Sequence, residues 1–264
     1  MNAVGISAAK FLNIIRIYTF QLMSNHLHFV VEGTFTNVET FFYDLISRLR
    51  RYLLKQCRLY DIDKISHNII PVTDEFYLRN LIVYVNRNGY LTNKEMTYFS
   101  YPWGANRYYF FPLCDIEPKV FLSKIAKRAK MEMFHTKDIS FPENFYLTGG
   151  YISPSCYCKI KEAEDFYRNA HHYTSLISRR VESFTSIAAE IGDTITYTDE
   201  EMFVSVFHYI KKQFDKTSIQ TLTSSEKIAT ARVMHYEYNS SSKQISRILK
   251  ISTESVNALF PTMQ

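Results

Sequence analysis

The chain has 264 residues and a formal net charge of +5, and 46% of its residues are hydrophobic while 22% are charged. These values are typical of a globular protein with one large domain or two modest ones. Aromatic residues make up 16% of the chain, and a large core explains this share better than base stacking does. The mild positive charge is compatible with a polyanionic partner but does not require one.

The sequence contains no apolar run long enough for a membrane span, and its first residues lack the pattern of a signal peptide. Its four cysteines do not suggest a disulfide framework in a chain of this length. Cys156 and Cys158, followed by His171 and His172, could form a zinc site, but their spacing matches no common zinc module. We therefore expect idle thiols in a cytoplasmic protein with no membrane partner.

The first part of the chain predicts two strands and a basic helix. The stretches "RIYTFQLM" and "HLHFVV" are rich in β-branched and aromatic residues, and Ser24-Asn25 between them supplies turn chemistry. Apolar residues then recur at helical spacing over about residues 38–58. This helix would present either a solvated basic face or a path for DNA phosphates. The basic residues on that face are Arg48, Arg51, Lys55 and Arg58.

A second helix is predicted to begin near Thr73 or Asp74, either of which can cap it, and to end at Gly89 as a left-handed stop. Its apolar residues follow the i, i+3, i+4, i+7 spacing of a helix with one buried stripe. These residues are Leu78, Leu81, Ile82 and Val85. An aromatic loop, "YPWGANRYYFFP", comes next.

The last part of the chain predicts three helices. Thr223 and Glu226 form a T-x-x-E capping box that opens the first. The stretches "KQISRILK" and "TESVNALF" predict two further short helices around a tight turn, which is the pattern of a helix-turn-helix. A plain three-helix bundle is the alternative. Lys243, Arg247 and Lys250, on the polar side, favour DNA binding. The apolar residues of the last two helices are expected to form a shared core, namely Ile245, Ile248, Leu249, Ile251, Val256, Leu259 and Phe260.

The stretch "MSNHLHFVV" sets two histidines one residue apart inside a predicted strand. Because side chains alternate along a strand, His26 and His28 point to one face and Leu27 to the other. Two neutral imidazoles on one face can bind a divalent cation. On spacing alone, a pair of solvent-facing or hydrogen-bonded histidines is the simpler explanation.

Three stretches taken together change this balance. The segments "MSNHLHFVV", "YVNRNG" and "YPWGANRYYF" occur in this order. They resemble the M-P-N-H-x-H, Y-I-H-x-N-P and Y-P-W-S-S-Y-like motifs of the REP-associated tyrosine transposases, a group of HUH single-tyrosine transposases that move as single-stranded DNA. The resemblance covers residues 1–113, and the remainder looks like the long members found in Bacteroides-like bacteria.

The resemblance implies that His26 and His28 bind a divalent metal ion, Mg²⁺ or Mn²⁺, with Asn88 as a further ligand. It also implies that Tyr84 is the nucleophile, which would stay on the 5′-phosphate and release a 3′-hydroxyl. The partner would be single-stranded DNA with hairpins, at the bacterial nucleoid. Tyr84 and Asn88 are i and i+4 on one helix, so their side chains lie one above the other. We expect the Tyr84 ring to pack while its hydroxyl points outward at the sheet.

The chain departs from the family pattern at its start. Only about twenty residues precede the strand that leads into the histidines, which is too short for a strand–helix–strand lead-in. We therefore expect an N-terminally short catalytic domain, either because the given start is late or because the domain has lost an edge element. Loss of a strand would leave unpaired backbone groups at the edge of the sheet and weaken it. Gly89 and Ser24 stand where the family has prolines, and both changes are compatible with turns. The alternative functions are a catalytically inactive DNA-binding or regulatory descendant and an unrelated metal hydrolase, with monomer and homodimer both open.

The expected fold class is α+β, with an antiparallel sheet and packed helices. In the family this domain is ferredoxin-like, and here it would span residues 1–113. Residues 114–220 are expected to form a connecting, mainly helical region. Residues 221–264 are expected to form a helix-turn-helix-like DNA-binding domain.

Overall fold

In the computed structural model, the described part of the chain divides into two compact units, Met1–Ser178 and Arg179–Gln264. The predicted boundary after residue 113 lies outside the described residues, and the one after residue 220 falls inside the second unit. The structure describes residues 1–23, 26–55, 65–91, 97, 99–111, 118–178, 184–193, 197–238 and 240–260.

The first unit combines helices with antiparallel strands, so the predicted α+β class is confirmed. The stretch expected to be mainly helical also contributes strands, because Val120–Phe121 (β3), Tyr146–Thr148 (β4) and Tyr151–Ile152 (β5) pair into an antiparallel sheet there. The elements of this unit are α1 Asn2–Phe11, β1 Arg16–Leu22, β2 Leu27–Glu32, α2 Phe35–Lys55, α3 Glu75–Leu91, β3 Val120–Phe121, α4 Lys127–Phe134, β4 Tyr146–Thr148, β5 Tyr151–Ile152, α5 Ile160–Glu164 and α6 Ala170–Ile177.

The β1–β2 hairpin is the sequence-predicted strand pair, and it separates two helical layers. Phe29 of β2 stacks on Phe20 of β1 and contacts Phe41 of α2 edge-on. Because neighbouring residues of a strand point to opposite faces, the residues beside these phenylalanines face the other way. That opposite face carries Thr19, and α3 packs there.

The outer edge of β1 is hydrogen-bonded by segments from later in the chain. The amide of Leu22 donates to the carbonyl of Trp103 at 2.8 Å, and the amide of Ala105 donates to Phe20 at 3.1 Å. Further along, the amide of Lys159 donates to the carbonyl of Ile17 at 2.7 Å. The expectation of unpaired groups at this edge is therefore wrong at these positions. The residues before β1 form α1, which packs against α2 and β5.

Helix α3 continues to Leu91, so the expectation that Gly89 ends it is wrong. Gly89 is needed there for a different reason. A Cβ at this position would overlap the side-chain nitrogen of Gln21 and the ring of Tyr101. Only a residue without a side chain allows the helix to approach β1 so closely.

The second unit, in the part that the structure describes, is built from helices alone. Thr223 and Glu226 form the predicted capping box, with the amide of Thr223 donating to Oε2 of Glu226 at 2.7 Å. The core of this unit contains the predicted apolar residues of the last two helices, Ile245, Ile248, Leu249, Val256 and Phe260, with Ile251 and Leu259 packed against them. Its helices are α7 Thr185–Ile191, α8 Asp199–Phe214, α9 Ser224–Tyr236, α10 Ser242–Leu249 and α11 Thr253–Leu259. Across the described chain, none of the helices has the length and apolarity needed to cross a bilayer.

Candidate active site

The two histidines of the sequence motif lie side by side at the mouth of the β1–β2 hairpin. His26 is exposed and His28 is half-buried, and their ring centroids are 4.8 Å apart. The amide of Met23 donates to the carbonyl of His26 at 2.9 Å, which continues the ladder beyond the strands. Metal–nitrogen bonds of about 2.0–2.1 Å allow two imidazoles at this separation to share one ion. The turn residues Ser24 and Asn25 lie outside the described part of the chain.

Helix α3 brings the predicted nucleophile next to this pair. The ring centroids of Tyr84 and His28 are 6.2 Å apart. Asn88, the predicted third ligand, lies one helical turn further along the same helix. The sequence motif and the fold therefore bring His26, His28 and Tyr84 into one neighbourhood.

The exposure of Tyr84 differs from the expectation. The residue is 4% exposed, and Asn88 is 8% exposed. The sequence predicts one buried stripe on α3, yet the whole stretch from Leu81 to Asn88 is buried. The reason is that α6 packs on the side of α3 that the periodicity leaves to solvent. This packing leaves little of Tyr84 open to solvent.

A chain of buried hydrogen bonds holds α3 in place. The hydroxyl of Thr19 on β1 donates to Oδ1 of Asn86 on α3, and Nδ2 of Asn86 donates to the hydroxyl of Tyr173 on α6 at 2.8 Å. The hydroxyl of Tyr173 donates in turn to Oδ1 of Asn106. These side chains set the position of the helix that carries Tyr84. The sequence analysis missed Asn86. In the sequence, this residue is noticeable only as a polar side chain on the buried side of a helix.

Gln21 is a second polar group that the sequence analysis missed. It lies directly opposite His28 in the register of the hairpin, so both side chains point to the face that α3 covers. Gln21 is 0% exposed, and neither its side-chain nitrogen nor its oxygen has a hydrogen-bond partner among the described residues. An unpaired buried amide is costly. Its position beside the histidine pair is compatible with a bound ion or a ligand in this region.

The residues present fit a divalent metal ion. His28 of β2 and His26, just before this strand, supply nitrogen donors. The amide oxygens of Asn88 and Gln21 are hard donors from the facing helix and the neighbouring strand. Mixed nitrogen and oxygen donors suit Mn²⁺, and oxygen donors with water suit Mg²⁺. We therefore take His26, His28 and Asn88 as the candidate ligands, with Gln21 beside them.

Arg48, a predicted DNA contact, is used inside the protein. Its guanidinium bonds to Asp44, with Nε to Oδ2 at 2.7 Å, and to Asp138, and its side chain is 8% exposed. Burial alone would raise the pKa of Asp44, but hydrogen bonds from Arg48, Lys10 and Ser7 outweigh it and lower that pKa to about 2. We therefore leave Arg48 out of the proposed DNA surface. Its neighbours Arg51 and Lys55 are exposed.

The predicted DNA contacts of the second unit lie on α10. Lys243 is exposed, while Arg247 makes a bidentate ion pair with Asp199 of α8, both N–O distances being 2.9 Å. The hydrogen bonds that Arg247 donates to Asp199 raise the pKa of this arginine above its ordinary value. Lys243 therefore presents a freely solvated charge, and Arg247 a partly neutralised one.

The cysteine pair has the character of packed thiols. Cys158 is buried and Cys156 is half-buried, and both are free of disulfides. Burial raises the pKa of Cys156 to about 11, which keeps its thiol protonated. The Sγ atom of Cys156 accepts from the amide of Tyr146 at 3.4 Å. These contacts are those of packed thiols.

Comparison with known proteins adds no constraint to this geometry. No protein-family model, no curated protein and no solved structure matches the chain.

Proposed function

We propose that the protein is a metal-dependent transposase that nicks and rejoins single-stranded DNA bearing hairpins. In this proposal the first unit is an HUH domain related to the ferredoxin-like fold, and Tyr84 is the nucleophile. The observation that carries the proposal is the proximity of one phenol and two imidazoles. The ring centroids of His26 and His28 are 4.8 Å apart, and those of His28 and Tyr84 are 6.2 Å apart. The three ordered sequence motifs support it independently.

The proposed chemistry needs a nucleophile that stores the energy of the cut bond. The Tyr84 oxygen forms a bond to phosphorus while the bond from phosphorus to the 3′-oxygen breaks. The phenol gives up its proton, and the leaving 3′-oxygen gains one. A later attack by a 3′-hydroxyl on the phosphotyrosine reverses these steps and rejoins a strand without ATP.

A phenol with an ordinary pKa near 10 is mostly protonated at neutral pH. A divalent ion held by His26, His28 and Asn88 would supply electrostatic stabilisation for the charge that develops on the scissile phosphate. The histidines would orient this phosphate toward the Tyr84 oxygen. Packing of α3 on the hairpin holds the Tyr84 ring next to the His28 ring.

The second unit would bind duplex DNA as a helix-turn-helix. Helices α10 and α11 are joined by a short turn in which Lys250 has a left-handed conformation with φ of 53°. Lys243 projects into solvent from the first of these helices. This arrangement is compatible with a helix that enters the major groove. The working place of such a protein is the bacterial cytoplasm, at the nucleoid.

A second candidate function is favoured by the burial of Tyr84. With 4% of this residue exposed, the chain could be a catalytically inactive descendant that binds DNA without cutting it. Both functions predict DNA binding. They differ in whether a covalent protein–DNA adduct forms.

The deciding experiment incubates the full chain with a hairpin-bearing single-stranded oligonucleotide and Mn²⁺, and follows nicking and a detergent-resistant adduct. Tyr84→Phe is expected to reduce both by at least about a thousandfold, because the nucleophile is removed. Its affinity for the DNA should stay within about twofold, because Phe preserves the packed ring. EDTA should abolish nicking by the wild-type protein, and His26→Ala with His28→Ala should do the same.

Tyr157→Phe is the matched control for this experiment. Tyr157 is another buried tyrosine, and its hydroxyl has no hydrogen-bond partner among the described residues, so its loss should leave nicking unchanged. Full nicking by Tyr84→Phe would overturn the role of this residue. DNA binding by the wild-type protein without any adduct would favour the inactive descendant.

A further inference from the structure

The first unit contains an open cavity of about 410 Å³ next to helix α4, away from the hairpin that carries the histidines. We name it the lysine cavity. It is formed by one face of the helix and by the segment that follows it after His135, a residue with a left-handed φ of 51°. The lining residues are Lys127, Lys130, Lys137, Asp138, Ile139 and Ser140.

The positive charges of this cavity are not neutralised by the protein. Among the described residues, Lys127, Lys130 and Lys137 make no ion pair. The only carboxylate of the lining, Asp138, is bound by the guanidinium of Arg48. Arg128, on the same helix, illustrates the contrast because it pairs with Glu132 at 3.1 Å.

Three ammonium groups around one concavity repel each other and raise the local concentration of anions. Lys127 and Lys130 are three residues apart on the helix, so their side chains are neighbours on one face. Because Arg48 neutralises the carboxylate of Asp138, the three lysines leave a local excess of positive charge. The protein therefore tolerates an electrostatic cost here that a bound anion would relieve.

We infer that the lysine cavity binds consecutive phosphate groups of the DNA backbone. Its volume exceeds what one inorganic phosphate fills, which favours a polymer with repeated charges. Lysine contacts phosphates as a flexible point charge, without the bidentate geometry of base recognition. The hydroxyl of Ser140 can donate to a phosphate oxygen, and Ile139 offers an apolar surface to a sugar. The choice of DNA as the polyanion rests on the proposed function.

The test measures binding of a fluorescent hairpin oligonucleotide to the full chain in EDTA, where no nicking occurs, over a series of salt concentrations. Lys127→Gln, Lys130→Gln and Lys137→Gln together are expected to weaken binding about tenfold at near-physiological salt. The slope of log affinity against log salt should become shallower by about 2, since each lost phosphate contact contributes about 0.7 for a single strand.

The control variant removes the same charge from ion-paired positions, namely Arg16, Arg128 and Lys159, each changed to Gln. It is expected to change affinity by less than about twofold, because exposed paired charges release fewer counterions. A second variant, with Arg at positions 127, 130 and 137, keeps the charge and should retain the affinity. Circular dichroism verifies that each variant is folded.

Unchanged affinity and salt slope in the glutamine variant would overturn the inference and leave the proposed function standing. The same holds if the arginine variant loses affinity as the glutamine variant does. The wild-type protein and the glutamine variant are also tested on vesicles of phosphatidylcholine and phosphatidylserine. If the wild-type protein binds these vesicles and the glutamine variant does not, while both bind DNA equally, the inference is overturned and the cavity is assigned to a membrane surface. Conversely, lysine-dependent DNA binding without any Tyr84 adduct would support the inference while the proposed chemistry fails.

Discussion

Helices from the two units of the protein illustrate local and long-range stabilisation. In the second unit, helix ends are closed by side chains three residues away, as in the capping boxes of Thr198 with Glu201 and of Thr223 with Glu226. In the first unit, the helix that carries Tyr84 is held by polar side chains far apart in the sequence. Thr19 and Asn86 are 67 residues apart, and Asn86 and Tyr173 are 87 residues apart.

This difference shows which kind of interaction a sequence pattern can reveal. A capping box needs two residue types at one short spacing, so the pattern and the contact coincide. A buried hydrogen bond between distant elements leaves no local pattern. The first unit should therefore be sensitive to substitutions that look harmless in the sequence, and the second to those that a pattern already marks.

The largest expected effect tests the long-range network. Asn86→Leu leaves the hydroxyl of Thr19 buried without its acceptor and removes a donor to Tyr173, at a cost of about 3 kcal/mol in unfolding free energy. Urea unfolding measures this loss, and amide hydrogen exchange should rise in α3. Adding Thr19→Val removes the other polar partner and should recover at least about 1 kcal/mol. Equal stability of Asn86→Leu and wild type would show that the network is dispensable.

The close approach of α3 to β1 gives the next effect. Gly89→Ala is expected to destabilise the protein by about 2 kcal/mol, because the new methyl overlaps Gln21 and the Tyr101 ring. In an exposed helix the same change would stabilise the protein by up to about 1 kcal/mol. The sign of the change in stability, measured by thermal unfolding, therefore distinguishes the two environments. Gln21→Ala in the same chain should relieve part of the overlap, and a double-mutant cycle would measure that coupling.

Protonation of Asp44 at low pH is expected to lower the free energy of unfolding by a smaller amount. The pKa of Asp44 is about 2 in the folded protein and about 3.9 when unfolded, so its contribution is complete above pH 4 and is lost as the pH falls toward 2. After allowance for solvent at a carboxylate with 15% exposure, we expect about 1–2 kcal/mol. Urea unfolding at pH 5 and pH 2.5 measures it. The difference between Asp44→Asn and wild type should shrink over this interval, and a constant difference would contradict the assignment.

The smallest effect belongs to the second unit. Thr223→Ala removes the oxygen that accepts from the amide of Glu226 and should cost about 1 kcal/mol. Thr223→Ser keeps the hydroxyl and serves as the control, with an expected change of a few tenths of a kcal/mol. Hydrogen exchange in the first turn of α9 localises the change. A cost as large as that of Asn86→Leu would remove the contrast between the units.

Much of the candidate site was predictable because it is encoded locally. The alternation of a strand predicts that His26 and His28 share a face, and the helical repeat predicts that Tyr84 and Asn88 share a side. Both spacings survive in any environment that preserves the element. The sequence analysis also anticipated the pairing of the first two strands and the core of the last two helices.

Other features were outside the reach of such patterns. Arg48 has the spacing of an exposed basic face, but Asp138, 90 residues later, turns it inward. Gln21 is an ordinary polar position in a strand until α3 and the loop at Gly104 enclose it. In both cases, the partner comes from an element whose position depends on the whole fold.

By itself, the sequence determined the first two strands, the capping box at Thr223 and the apolar core of the last two helices, because these depend on the spacing of neighbours. The tertiary structure alone decided that α3 is buried from Leu81 to Asn88, that Tyr84 packs beside His28 at low exposure, and that Arg48 neutralises Asp138 beside the lysine cavity. These outcomes depend on which distant surfaces meet, and burial and hydrogen bonding between distant residues are set only when the chain has folded.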